Sequence, residues 1–288
     1  MLDILFYTFI IVVFIQLIYY GIIFSMFAFA KHKKVTQKNI GLSILICAKN
    51  EAENLELNLP YILKQDYPDF EIVLINDASN DSTLDVMKSF QKKNNNIKIV
   101  DVKPVEKFWG SKKYALTLGI KSASHNFLLF TDADCKPLSK QWIKSMSSCF
   151  SNDKTLVLGY GAYKKQKNSL LNKLIRFETV LTAIQYFSYT KIGLPYMAVG
   201  RNLAYRKEEF FKASGFMSHM DVRSGDDDLF VNQVANAKNT AICFSESGFT
   251  ESLPKKSFKD WFIQKKRHVS SSKYYKPQHK FMLSFIIF

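Results

Sequence analysis

The longest uninterrupted apolar stretch of the chain is Ile4 to Ala30, 27 residues without a charge and with one glutamine, Gln16. At about 1.5 Å rise per residue, a helix of that length exceeds a hydrocarbon core of roughly 30 Å. The pattern therefore predicts a transmembrane helix over residues 1–30. Asp3 is the only charged side chain near its start, so it lacks the basic flank of a cleaved signal, and the run is too long for a signal's apolar region. Lys31, His32, Lys33, Lys34 and Lys38 lie in a basic linker over 31–40. By the positive-inside rule that end faces the cytosol, which predicts a single-pass anchor in the inner (cytoplasmic) membrane with everything beyond it cytosolic.

Past the linker the period changes. Leu42–Cys47, Glu71–Ile75 and Phe127–Thr131 read as short apolar runs, the pattern of buried strands, and Ile97–Val102 reads as a further strand. Helical stretches separate them. One opens at Asn50 to Asn54 with Leu55, Leu59 and Ile62 on its apolar face. Another is capped by Asp81 or Ser82 and runs to about Lys92, and a third covers Lys112–Ser122. This alternation indicates an α/β fold with a doubly wound, mostly parallel sheet, in which ligands bind beyond the carboxyl ends of the strands. Further on, the spacing predicts helices over Gln141–Phe150, Leu170–Tyr189 and Phe258–Tyr274, and a strand over Leu156–Tyr163. The catalytic-sized domain then spans 41–254, followed by a basic amphipathic helix over 255–280. The uncharged end, 281–288, is an interfacial foot or the first turns of a further membrane helix. The bases of 255–280, interleaved with Trp261, Phe262, Tyr274 and Tyr275, suit an anionic membrane surface, and a solvated helix face fits any single lysine equally well.

Composition narrows the partners. A net charge of +15 over 288 residues favours anionic ones: phosphorylated substrate, acidic lipid or nucleic acid. The aromatics show no single-strand-binding interleaving, which argues against nucleic acid. Cys47, Cys135, Cys149 and Cys243 are scattered without C-x-x-C spacing, against a zinc site or a disulfide framework and in keeping with a reducing compartment. There is no G-x-G-x-x-G and no G-x-x-x-x-G-K-[ST], so neither a Rossmann dinucleotide site nor a P-loop is expected.

Three predicted strand ends carry polar groups: Lys49-Asn50-Glu51, Asp77, and the pair Asp132 and Asp134. Strand side chains alternate, so Asp132 and Asp134 point the same way and can face one cation. A hard ion such as Mg²⁺ or Mn²⁺ takes oxygen ligands and shares its other sites with substrate phosphates. An Asp-rich turn that caps the next helix is the plain alternative for the pair alone.

The ordered segments S-I-L-I-C-A-K-N-E, E-I-V-L-I-N-D-A-S-N-D-S-T, G-S-K-K-Y-A-L and F-T-D-A-D resemble the membrane-attached family 2 glycosyltransferases, and the resemblance spans about Leu42 to Tyr274. It implies a GT-A fold and a nucleotide-diphospho-sugar donor, with UDP the expected nucleotide. It also implies an acceptor that is a lipid-linked sugar or another glycan at the membrane. Residue by residue it implies that Ala48, Asn50 and Glu51 frame the base and ribose. Asp77 accepts from the uracil N3–H, as an acceptor-only carboxylate can. Lys112, in Gly110-Ser111-Lys112-Lys113, lies near the sugar-nucleotide. Asp132 and Asp134 hold ribose and metal, Asp134 as the direct ligand. Met197–Tyr205 is similar to a G-x-N-x-A-[FY] segment on the acceptor side, where Gly200 allows close backbone approach and Asn202 orients a sugar; a buried turn is the alternative.

In Ser224-Gly225-Asp226-Asp227-Asp228 the resemblance assigns the general base to Asp227, with Asp226 beside it on the acceptor side. Asp228 reads as a helix-start acid that favours the dipole. Clustered like charges raise the pKa of at least one member, which suits a base working near neutrality. Gln264-Lys265-Lys266-Arg267-His268 resembles the family's Q-x-x-R-W signature with His268 where Trp stands, which weakens an expectation of processive synthesis. Gln264 and Arg267 share a helix face, and the Arg267 guanidinium suits a diphosphate. A nucleotidyltransferase would need a Gly-rich basic loop where Ala48-Lys49-Asn50-Glu51 stands. A non-catalytic membrane module gives no reason for acids at successive strand ends.

Overall fold

The computed structural model describes residues 2–31, 40–103, 112–222 and 224–284. The linker residues 32–39, Gly110 and Ser111 of the third motif, and the last four residues, 285–288, lie outside them.

The first half is a run of strands and helices in strict alternation: β1 (Leu42–Ala48), α3 (Ala52–Leu63), β2 (Phe70–Asp77), α4 (Thr83–Lys93), β3 (Ile97–Val102), α5 (Lys112–Ser122) and β4 (Phe127–Asp132). Each apolar run forms a strand because helices cover both faces of the sheet. Leu42, Ile44 and Ile46 pack on one side, Leu45 on the other. Helix α3 buries Ala52, Leu55, Leu59 and Ile62, spaced along one face. Helix α4 starts where Asp81 Oδ1 accepts from the Thr83 amide at 3.0 Å.

The remaining elements are β5 (Cys135–Pro137), α6 (Trp142–Ser148), β6 (Leu156–Leu158), β7 (Gly161–Tyr163), α7 (Leu170–Lys191), β8 (Leu203–Arg206), α8 (Lys207–Lys212), α9 (Asp228–Val234), β9 (Thr240–Ile242), β10 (Thr250–Ser252), α10 (Phe258–Val269) and α11 (Pro277–Ser284). A seven-stranded sheet has the order β3-β2-β1-β4-β8-β6-β9, and a three-stranded sheet has the order β5-β10-β7. Strands β1 to β4 are parallel, and β8 runs antiparallel to both β4 and β6. The register levels the carboxyl ends that matter: Cys47 pairs with Asp132 and Ala48 with Asn76. The loop after β1, Asp77 and Asp132 therefore open into one crevice.

Two elements differ from the sequence expectation. Leu156–Tyr163 is not one strand. The chain leaves the large sheet after Leu158 and enters the small one at Gly161, and the Gly159 amide turns aside to the Asn202 carbonyl at 2.9 Å. The helix expected to reach Tyr274 ends at Val269, because residues 271–276 turn back to bond α9.

The N-terminal helical segment comprises α1 (Leu2–Ile18), a π-helical turn over Tyr19–Ile23 and α2 (Phe24–Ala28). By length and composition, Leu2–Ala28 suffices to cross a membrane, with mean hydropathy 2.3. Its two ends differ. Leu2, Leu5, Phe9 and Phe14 are exposed, whereas Tyr19, Ile23 and Phe24 join the core. The π turn adds a residue to the winding and so turns this face onto the domain. Phe27 lies 5.2 Å from the Phe187 ring and 5.3 Å from Phe244. The Tyr19 hydroxyl is 3.2 Å from that of Tyr189 and also donates to the Met282 carbonyl. Phe281–Ser284, expected as the beginning of a foot or a further membrane helix, are the last turn of α11, and Met282 and Leu283 pack against the core.

Candidate active site

The crevice at the ends of β1 and β2 is built by two loops laced together. The Asn50 amide donates to Ser79 Oγ at 3.0 Å, the Asn80 amide to Asn50 Oδ1 at 2.8 Å, and the Glu51 amide to Thr83 Oγ1 at 2.8 Å. Asn50 and Ala78 hold positive φ, 57° and 48°, in the tight turns this requires. Ala48 is buried, so only its backbone can face a ligand. Asp77 closes β2 with its carboxylate bonded to nothing among the described residues, free to accept. Burial raises the Glu51 carboxyl; its bond from Asn54 opposes that shift, and nearby Asp134 and Asp132 add to it.

Asp132, Asp134 and Cys135 hold their ligand atoms within 4.8 Å of one another. The buried Cys135 thiol is pushed well up by burial and then by the two acids, so it stays protonated and donates to Asp134 Oδ1 at 3.3 Å. The oxygens of Asp132 and Asp134 are what a hard cation would use. Two carboxylates with an open side fit Mg²⁺ or Mn²⁺, which keep sites for water and phosphate. Burial and the Asp132 charge raise the Asp134 carboxyl, the signature of an acid pair short of positive charge.

Lys112 spans the site. Its Nζ lies 3.0 Å from Asp132 and 3.1 Å from Asp226, joining the acid at the end of β4 to the second acidic cluster. Burial alone would lower its ammonium, but Asp132 and Asp226 hold it well above the ordinary lysine value. Conversely, burial works against the charged form of Asp226, and Lys112 outweighs it, drawing that carboxyl down.

Asp227 sits at the N-cap of α9. Its Oδ1 accepts from the Asp228 amide at 2.8 Å and its Oδ2 from the Gly200 amide at 2.6 Å. Burial first, then Asp226 and Asp228, push its carboxyl up to about 7. Gly200 serves this contact. A Cβ there would stand 3.2 Å from Asp227 Oδ2, so the close backbone approach is to the acid. Asp228 is not a simple dipole acid. It is buried and accepts from the Ser271 and Tyr275 hydroxyls, which fasten the segment after α10 to α9.

Asn202 corrects the sequence expectation. It is fully buried, donates to the Tyr160 and Gly248 carbonyls at 2.9 and 2.8 Å, and accepts from Trp142 Nε1 at 3.0 Å. No face remains to orient a sugar. Asn202→Ala is expected to destabilise the protein by about 3 kcal/mol, since three buried groups lose their partner. Urea unfolding of the full chain in detergent measures this.

Helix α10 carries Gln264, Arg267 and His268. Ser257 Oγ caps it, accepting from the Asp260 amide at 3.1 Å, and Lys265 pairs with Glu178 of α7. Gln264 donates to Tyr163 Oη at 3.4 Å. Arg267 and His268 are exposed, and the Arg267 guanidinium has no partner among the described residues. Two contributors escape a reading of the sequence. Lys113 is buried and donates to the His219 and Val222 carbonyls at 2.6 and 2.9 Å, fixing the loop that leads into the acid turn. Asn232 of α9 donates to the Tyr196 carbonyl and lies 2.9 Å from His279 Nδ1. The second lysine of Lys112-Lys113 was visible as a motif member; the Asn232 contacts leave no sequence signal.

The sequence profile of Glycosyl transferase family 2 matches residues 43–218. A poly-beta-1,6-N-acetyl-D-glucosamine synthase of Staphylococcus epidermidis is 36% identical over 110 residues, 38% of this chain and 24% of that protein. A chondroitin synthase of Pasteurella multocida is 31% identical over 129 residues, 43% of this chain and 12% of that protein. The matched stretch thus spans a quarter or less of these relatives. Among solved structures, the mannosyltransferase PcManGT of Pyrobaculum calidifontis, in complex with GDP-Man and Mn²⁺, superposes with TM-score 0.68 at 17% identity, covering 96% of this chain and 79% of that one. S. aureus TarS 1-349 in complex with UDP-GlcNAc gives 0.53 at 17% identity, covering 76% and 60%. These similarities place the sheet and its crevice in the GT-A fold.

Proposed function

The chain belongs to glycosyl transferase family 2, and from that premise we propose that it is an inverting transferase anchored in the cytoplasmic membrane by Leu2–Ala28. It moves a sugar from a UDP-sugar to a lipid-linked or glycan acceptor at the cytosolic face. The observation that carries the reading is the holding of Asp227: both oxygens fixed by backbone amides, in a pocket that it lines together with Lys112, Asp132 and Asp226.

The Asp227 carboxylate takes the proton of the acceptor hydroxyl as that oxygen bonds to the anomeric carbon. The bond from that carbon to the diphosphate oxygen breaks on the opposite face, and the nucleoside diphosphate leaves with the electron pair. One displacement inverts the anomeric configuration. Asp77 and the Ala48–Glu51 loop receive the base and ribose. Arg267, on the exposed turn of α10, meets the diphosphate. Asp132 and Asp134 would hold a divalent ion, which when bound neutralises charge on the departing diphosphate. Lys112 keeps Asp226 ionised, and that charge is one reason the Asp227 carboxyl lies near neutrality.

The relatives named as N-acetylglucosamine polymer synthases support UDP-N-acetylglucosamine as the first donor to test. The neighbour with GDP-Man makes GDP-mannose the second. Calorimetric titration of the detergent-solubilised chain with UDP and with GDP, each with Mn²⁺, tests the reading. UDP is expected to bind, and binding of neither would overturn it.

The pH dependence has a definite sign. A base must be deprotonated to act, so kcat/KM is expected to climb about tenfold per pH unit below 7 and to level off above it. Initial rates of transfer or donor hydrolysis between pH 5 and 9 check this. A profile flat down to pH 5 would contradict the role of Asp227.

A further inference from the structure

Arg201, next to the glycine that holds the base, has no place in the mechanism so far. Its backbone is pinned from two sides: the carbonyl accepts from Thr131 Oγ1 at 3.1 Å and from Thr250 Oγ1 at 3.0 Å. Thr131 immediately precedes Asp132 on β4, so this anchorage ties Arg201 to the strand that carries the donor acids.

The side chain is equally fixed. It runs across Gly161, where a Cβ would fall 2.5 Å from the arginine Nε and 2.6 Å from its Cγ. No other residue type leaves room for that path. The guanidinium lies 4.3 Å from the centre of the Tyr163 ring, and Nη1 donates to Ser252 Oγ at 3.3 Å. Ser252 is paired across the small sheet with Tyr163 on one side and Cys135 on the other. Strands stand about 4.8 Å apart, so Ser252, which accepts from the guanidinium, is about one strand spacing from the residue that follows Asp134. The Tyr163 hydroxyl accepts from the Gln264 amide of α10 at 3.4 Å.

Among the described residues Arg201 makes no ion pair. A guanidinium has five N–H donors, and this one spends a single donor on a long bond to a neutral hydroxyl. Stacking of its face on Tyr163 leaves the edge donors directed sideways, the geometry that grips two oxygens of one phosphate.

On the proposed reading of the site, we infer that Arg201 is a second guanidinium for the diphosphate of the donor, beside the role given to Arg267. Arg201 is linked through Ser252 to the strand that carries Cys135 and through Tyr163 to α10, and the gap at Gly161 seats it on Tyr163. This residue binds the phosphates and leaves base and ribose to the β1 and β2 loops. Gln264 acts on it indirectly, by orienting Tyr163.

The test is calorimetry on the full chain in detergent with Mn²⁺, comparing UDP with uridine. Arg201→Gln is expected to weaken UDP about tenfold or more, the value of a charge-assisted contact, and uridine less than about twofold. Arg201→Lys keeps the charge without the fork and is expected to lose UDP affinity in the same selective way. Gly161→Ala, which displaces the side chain and leaves its charge, should do likewise. Unchanged UDP affinity in Arg201→Gln, or equal losses for UDP and uridine in all three variants, would overturn the inference alone. Failure of the unaltered chain to bind UDP would remove the reading on which it rests, and the inference with it.

Discussion

Asp227→Asn is expected to lower the rate of sugar transfer about a thousandfold while donor affinity stays within about twofold. An amide cannot take the acceptor proton, yet it fills the same volume at the start of α9. Asparagine keeps one acceptor oxygen, so only one of the Gly200 and Asp228 amides retains its partner. A loss of about 1–3 kcal/mol of stability accompanies the change. That cost is small beside the catalytic effect and is read separately by thermal unfolding. Transfer at the unaltered rate would show that another group takes the proton. Asp226 is the nearest rival, and its contact with Lys112 holds it too acidic for the task.

Asp134→Ala is expected to abolish the stimulation of donor binding by Mn²⁺. With Mn²⁺ present, UDP affinity should drop at least about tenfold, to the level of the unaltered chain in EDTA. The physical basis is the donor set. Asp132 is already engaged by Lys112 at 3.0 Å, and the Cys135 thiol is a buried donor to Asp134 Oδ1, so the exposed Asp134 supplies an open oxygen, Oδ2. Calorimetry with and without the ion measures this. Full Mn²⁺ stimulation in the variant would place the ion elsewhere.

Much of this arrangement was legible in the chain because the crevice lies at strand ends. A strand buried on both faces reads as a continuous apolar run, and the abrupt change to Asp77 or to Asp132 and Asp134 marks its carboxyl end without ambiguity. Strands β1, β2 and β4 follow that pattern, whereas β3, at the sheet edge, exposes Lys98 and Asp101. Asn202 was misread because a buried asparagine and a sugar-binding one look the same in sequence. What separates them is Trp142, sixty residues away, bonded to the same amide group. Likewise, three acids in a row carry no label. Asp227 faces the site because it caps α9, while Asp228, one residue on, turns toward Ser271 and Tyr275, 43 and 47 residues further along the chain. Strand periodicity over Leu156–Tyr163 also gives no sign that the chain changes sheets at Gly159. Arg201 was in view within the Met197–Tyr205 segment, yet only the fold brings Gly161, Tyr163 and Ser252 around it.

The central claim, a single inverting displacement with Asp227 as base, is tested most directly by the configuration of the released sugar. The full chain in detergent is given α-linked UDP-N-acetylglucosamine with Mn²⁺, water serves as acceptor, and proton NMR follows the first anomer before mutarotation. The account predicts that the β anomer appears first and that Asp227→Asn suppresses it. Release of the α anomer first would contradict it.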